Sequence, residues 1–366
     1  MKKSMNTRVR SGIFMALYGT ILLYVFSLTD QSSDGWSSYI PSDIHRYVSF
    51  GFAIFSVLSV AWIMIFVGKE LHYCFVGTNN KKQIWFITIS MWLIQIIPTM
   101  IWMIPTYMNI HMNGRMPVLW FLVFLFSGLL AAAICFPLYI KMVKHGKKNT
   151  TFNLIFFPLA VICISLAFGA TYYLCIVRYW STIIIILFAV AGCDIMAYFG
   201  GVLFGKHKLA PVISPKKSWE GAIIGSIVSA ALIVLFIYAS TYIHHSNYNS
   251  RDIPFNFFGV QFQSIQDWYE GALWWFLISI LAILLTVVTI LGDLLFSFVK
   301  RRNGIKDFGN SIPGHGGYLD RLDSFTVVTF IFCAVMFVTA VTTAIYNNHK
   351  DQNFEGFKLI FPYWEI

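Results

Sequence analysis

The side chains able to do chemistry in this sequence lie close together along the chain. Inside its long apolar runs only Asp194 and Asp293 stand out as acidic. A carboxylate within lipid is costly and marks a functional site by default. Asp293, Ser297 and Lys300 recur at i, i+4 and i+7 and so share one helical face. That stripe starts among Ile290, Leu291, Leu294 and Leu295 and runs out into Arg301, Lys306 and Asp307. Next comes Ile312-Pro313-Gly314-His315-Gly316-Gly317. Its glycines permit positive φ, and successive N–H groups in such a turn can hold an anion. Asp320-Arg321-Leu322-Asp323 follows, with its two carboxylates at i and i+3.

Three carboxylates brought together at a membrane edge would repel one another strongly. A hard cation resolves that conflict, and oxygen ligands suit Mg²⁺. Asp293, Asp320 and Asp323 are therefore the expected metal ligands, with a second cation left open. Such a metal can bridge carboxylates to substrate phosphates. His315 is expected to contact or position a phosphate, because phosphoryl transfer needs positioning more than proton chemistry. A second segment carries Lys206, Lys208, Lys216 and Lys217 among glycines and prolines. Four ammonium groups in so short a stretch suit an oligophosphate.

These residues must be positioned by membrane helices. Of 366 residues, 58% are hydrophobic and 11% charged, where soluble domains carry about 25% charged residues. Nine apolar runs are near the roughly 20 residues that cross a bilayer: 11–28, 48–68, 84–105, 117–140, 153–177, 180–200, 221–243, 272–296 and 324–346. The expected fold is an all-α polytopic membrane protein of about nine transmembrane helices, N-terminus cytoplasmic and C-terminus external. With that topology only Arg46, Arg115, Arg178, Arg251, Lys350 and Lys358 lie outside, leaving 20 of the 26 Lys and Arg inside. The net charge of +10 then reflects topology and attraction to lipid headgroups, and not nucleic acid. The six cysteines are scattered without a CxxC pair, so neither a disulfide framework nor a zinc site is expected.

The run Ser297-Phe298-Val299-Lys300-Arg301, Lys306-Asp307-Phe308-Gly309, Ile312-Pro313-Gly314-His315-Gly316-Gly317 and Asp320-Arg321-Leu322-Asp323 resembles the signature of phosphatidate cytidylyltransferases, the CDP-diacylglycerol synthases. Phe204 to Pro211, Ser214 to Trp219 and Leu291 to Leu294 resemble that family as well. Ser218 stands where its members usually carry Thr, which keeps the hydroxyl. The resemblance implies that CTP and phosphatidic acid give CDP-diacylglycerol and pyrophosphate with Mg²⁺. It places the metal on Asp293 and Asp320, their neighbours on Ser297 and Lys300, and Asp323 in the same Asp-Arg-x-Asp element. Arg301, Lys306, Arg321, Gly314, Gly316, Gly317 and the four lysines of 206–217 are then expected to bind substrate. The expected partners are CTP, phosphatidic acid and membrane lipids, with a homodimer compatible. The expected location is a bacterial-type cell membrane with the site facing the cytoplasm.

The expected organisation is 1–180 as N-terminal transmembrane helices, 181–346 as the catalytic region with cytoplasmic loops 201–220 and 297–323, and 347–366 as an external tail. Two other readings are a CTP-dependent enzyme on another lipid and an ion-coupled transporter. A transporter favours polar residues at mid-helix and paired broken helices. Here the ionisable groups gather in one asymmetric region at the inner edge.

Overall fold

A computed structural model describes residues 42–107, 116–148, 150–176, 180–248, 252–257, 260–263, 268–313, 316–332 and 334. The expected run 11–28 and the tail 347–366 lie outside these residues. The described chain is mostly helical: α1 (Ser42–Phe75), α2 (Lys81–Tyr107), α3 (Met116–Lys144), α4 (Thr151–Ile176), α5 (Trp180–Leu187), α6 (Cys193–Phe204), α7 (Trp219–Tyr248) and α8 (Trp268–Arg302). A last helix opens at 319. Among the described residues, five helical stretches are long and apolar enough to cross a membrane. Large apolar side chains such as Leu58, Trp62, Leu159 and Ile227 remain exposed on them, as lipid-facing helices require.

The all-α expectation is corrected in two places. Lys208–Ala210 (β1) pairs antiparallel with Ser214–Ser218 (β2), so the lysine segment is a short hairpin. Asp252–Phe257 (β3) pairs with Val260–Gln263 (β4) between the apolar runs expected at 221–243 and 272–296. Two-stranded pairs this short escape a hydropathy reading because their strands, three to six residues each, are far shorter than an apolar run.

The chain forms two compact units. The first comprises Met1–His111, Leu122–Trp180 and Phe298–Thr326; the second comprises Met112–Phe121, Ser181–Ser297 and Val327–Ile366. In the first, α1, α2 and α4 pack on one another. Phe157 lies 5.5 Å from both Phe75 and Tyr139, centroid to centroid. Trp92 donates its indole N–H to Ala61 O at 2.9 Å. Helix α1 runs past the apolar run expected at 48–68, through Glu70 to Phe75. It closes at Gly77 in the left-handed region (φ +72°), whose N–H donates to His72 O.

In the second unit α6 packs against α7 through small residues. A Cβ on Gly221 would stand 2.6 Å from Ala197 O, and one on Gly225 would stand 2.8 Å from Ala197 Cβ. Glycine lets the two backbones close to this distance. A π-helical turn, Phe188–Gly192, precedes α6. Ser229 Oγ donates to Phe188 O at 3.3 Å and Thr289 Oγ1 to Ala189 O at 3.4 Å. Such side-chain donors satisfy carbonyls that an irregular turn leaves free inside a membrane.

Candidate functional site

Helix α8 carries Asp293, Ser297 and Lys300 on one face, as their spacing predicts. Its end shows how Lys300 is placed. Gly304 adopts φ +67°. Ile305 N–H donates to Lys300 O and Gly304 N–H to Arg301 O, both at 3.0 Å. This is a Schellman closure, which ends the helix one turn after Lys300. Asn153 fixes the same end: its Nδ2 donates to Asn303 Oδ1 at 2.8 Å, and Lys148 Nζ donates to Asn303 O at 3.0 Å.

From there Lys300 reaches Asp320 within the first unit. Lys300 Nζ donates to Asp320 Oδ1 at 2.8 Å, with the side chains 10% and 7% exposed. Asp320 Oδ2 accepts the N–H of Phe308 at 2.8 Å and of Gly317 at 3.0 Å. The Phe308 ring lies 5.3 Å from the Lys300 ammonium. Gly316 sits at φ +87°, and a Cβ there would meet Asp320 Oδ2 at 3.0 Å. The turn is closed by Ile312 N–H donating to Gly316 O at 2.8 Å. The Gly317 N–H expected to face an anion is thus held by the protein's own carboxylate. Gly314 and His315 lie outside the described residues. Asp323 is buried, and its Oδ1 accepts the N–H of Ser324 at 2.8 Å.

In the second unit, Lys217 Nζ forms an ion pair with Asp293 Oδ2, and Ser297 Oγ donates to Asp293 Oδ1 at 3.4 Å. Lys217 reaches that position from β2. The hairpin is anchored by Glu220, which accepts the N–H groups of Lys206 and His207 and the ring Nδ1–H of His207 at 2.6 Å. Ser218 Oγ accepts Gly221 N–H at 3.2 Å, capping α7. Lys206, Lys208 and Lys216 are exposed. So are Arg301, Lys306 and Arg321 in the first unit, where Arg301 donates to Ile305 O at 3.3 Å.

The site residues therefore sort into two constellations, Asp320 with Lys300 and Asp293 with Lys217 and Ser297. Among the described residues no three His, Cys, Asp or Glu side chains form a metal-binding cluster. Mg²⁺ at nucleotide sites, however, takes one or two carboxylates plus substrate phosphates and water. Each aspartate, facing a lysine ammonium within its own unit, fits that one-carboxylate donor set.

Sequence reasoning missed Glu70. It is 3% exposed and accepts from Ser311 Oγ at 2.7 Å, Tyr318 N–H at 3.0 Å and Leu319 N–H at 2.8 Å. The available signal was an acidic residue just past an apolar run, followed by further apolar residues. Beside it, a cavity of about 630 Å³ is bounded by Lys69, Tyr73, Asn79, Lys306, Asp307 and Asn310. That volume is in the usual range for small-molecule sites.

Residues 44–339 match the profile of the cytidylyltransferase family. A protein of Mycoplasma pneumoniae is 28% identical over 338 residues, 86% of this chain and 81% of that one. The phosphatidate cytidylyltransferase of Brucella abortus is 32% identical over 225 residues, 60% of this chain and 69% of its own. That of Haemophilus influenzae is 41% identical over 139 residues, 38% of this chain and 40% of its own.

Proposed function

The chain belongs to the cytidylyltransferase family, and from that premise we propose that it joins CTP to phosphatidic acid, giving CDP-diacylglycerol and pyrophosphate. An oxygen of the lipid phosphate attacks the α-phosphorus of CTP. The bond from that phosphorus to the bridging oxygen breaks, and pyrophosphate leaves with the electron pair. The observation that carries this reading is the Asp320 cradle: a buried carboxylate held by Lys300 Nζ and two backbone N–H groups.

The site residues take the following roles in this reading. Asp293 and Asp320, with Asp323 nearby in sequence, would hold Mg²⁺; a second cation is part of the same proposal. When bound, the metal neutralises charge developing on the phosphates. Lys300 fixes the Asp320 carboxylate, and Ser297 and Lys217 fix Asp293. The exposed Lys206, Lys208, Lys216, Lys306, Arg301 and Arg321 attract the triphosphate, and Gly316 and Gly317 let the turn approach it. Gly314 and His315, which lie outside the described residues, are assigned to the phosphates on the sequence pattern alone. The catalytic region is 181–346, preceded by transmembrane helices in 1–180. The chain crosses a bacterial cell membrane nine times, as a monomer or homodimer, with its site open to the cytoplasm.

The test is pyrophosphate release by the purified protein in mixed micelles. CTP with phosphatidic acid should give CDP-diacylglycerol. An isoprenoid phosphate in place of phosphatidic acid, or dATP in place of CTP, should give little. Asp320→Asn and Asp293→Asn should each lower turnover by about 10²–10³-fold or more, the scale of losing a principal electrostatic group. Turnover near wild type in Asp320→Asn would remove that residue from the mechanism. Product with an isoprenoid phosphate alone would reassign the lipid.

A further inference from the structure

We propose that Glu70 is a positioning residue that holds the glycine turn, and through it Asp320, in the geometry the site requires. The inference rests on the reading of Asp320 given above.

Glu70 lies on a stretch of α1 long and apolar enough to cross a membrane, where a carboxylate needs a structural or chemical reason. Among the described residues no cation pairs with it. Its partners are the Ser311 hydroxyl and the N–H groups of Tyr318 and Leu319. Those two N–H groups stand at the opening of the last helix, where the first donors have no intrahelical acceptor. A helix usually meets this need with Ser, Thr, Asp or Asn at its cap. Here Gly316, Gly317 and Tyr318 precede it, and none of them offers such a side chain. The cap comes instead from a residue 249 positions away in sequence.

The glycines point the same way. A Cβ on Gly317 would meet Glu70 Oε2 at 2.5 Å, and one on Gly309 would meet Glu70 Oε1 at 2.8 Å. Both segments flanking the turn are shaped to admit this carboxylate. The ring of Tyr318 also stacks on Phe66, one turn earlier on α1, at 4.8 Å. Consecutive peptides are thereby divided between two carboxylates. Gly317 N–H goes to Asp320 Oδ2, while Tyr318 and Leu319 N–H go to Glu70. If the turn shifts, Asp320 loses a donor and its orientation. A misplacement of about 1 Å at a reacting centre can cost on the order of 10²-fold.

Glu70→Gln tests this with little change in shape. Glutamine has one acceptor oxygen, so its NH₂ must face at least one backbone N–H. Turnover should fall about 10- to 100-fold, the range for residues that orient a catalytic ligand, while the KM values for CTP and lipid stay within about twofold. Hydrogen exchange should show amides 317–319 losing protection while those of α2 and α4 keep theirs. Glu70→Asp keeps both acceptors and should recover part of the rate. Unchanged protection at 317–319 overturns the tether, and lost protection with wild-type turnover overturns the positioning role. Should Glu70→Gln fail to fold, Ser311→Ala removes one donor and must lower both turnover and protection, or the proposal falls. Wild-type protein that releases no pyrophosphate instead refutes the assigned reaction, and the exchange result alone then decides the tether.

Discussion

At the scale of single residues the Lys300–Asp320 pair sets the character of the site. Both side chains are nearly buried, and the carboxylate has two further donors. Removing one member of such a pair leaves a desolvated charge, at a cost of about 3–5 kcal/mol. Lys300→Met should therefore lower both the melting temperature and the rate of pyrophosphate release, the rate by at least about 10²-fold. Retained turnover in a destabilised Lys300→Met protein would limit the lysine to a structural part. Lys300 was legible in the sequence because it repeats with Asp293 and Ser297 on one helical face, a local regularity. Glu70 was not legible. Its partners lie 241, 248 and 249 positions away, and it sits just past an apolar run. Charge pairings such as Lys217 with Asp293 also depend on a hairpin that no local pattern announces.

At the scale of elements, helix identity followed from apolar run length, whereas the close approach of α6 and α7 did not. The approach depends on Gly200 and Gly201 on one helix facing Ile224 and Gly221 on the other, with Gly225 against Ala197. Glycines in a hydrophobic run look alike until their partners are known. The contact matters for function because α7 begins at Trp219, directly after the hairpin that carries Lys216 and Lys217. Gly221→Val places side-chain atoms where Ala197 O and the Gly201 backbone already stand. Overpacking of this kind costs about 1–3 kcal/mol. The variant should melt lower, and it should weaken apparent CTP affinity as the lysine hairpin shifts. A melting temperature and KM for CTP equal to wild type would show that α6 and α7 separate without consequence. Gly221→Ala should lie between the two.

At the scale of the whole molecule, charge asymmetry and chemistry make one demand on topology. CTP is a cytoplasmic, multiply charged solute, so the groups proposed to bind it must face inward. The lysine hairpin at 206–217 and the basic segment 300–306 are separated in sequence by α7 and α8, each with a stretch able to cross the membrane. If both stretches cross, the chain returns to its starting side, and both segments would then share one face whatever the total count. The total of nine depends in addition on runs such as 11–28, outside the described residues, and on the positive-inside rule. Single cysteines on a cysteine-free background would settle both. Cysteine at Lys208 and at Lys306 should react with an impermeant maleimide only after the membrane is opened, and cysteine at Asn256 should react in intact cells. A reporter fused after Ile366 should be active as periplasmic alkaline phosphatase and dark as green fluorescent protein. Labelling of Lys208 and Lys306 positions from opposite sides would break the proposed site apart. A fluorescent C-terminal fusion would instead change only the count, leaving the inward-facing site intact.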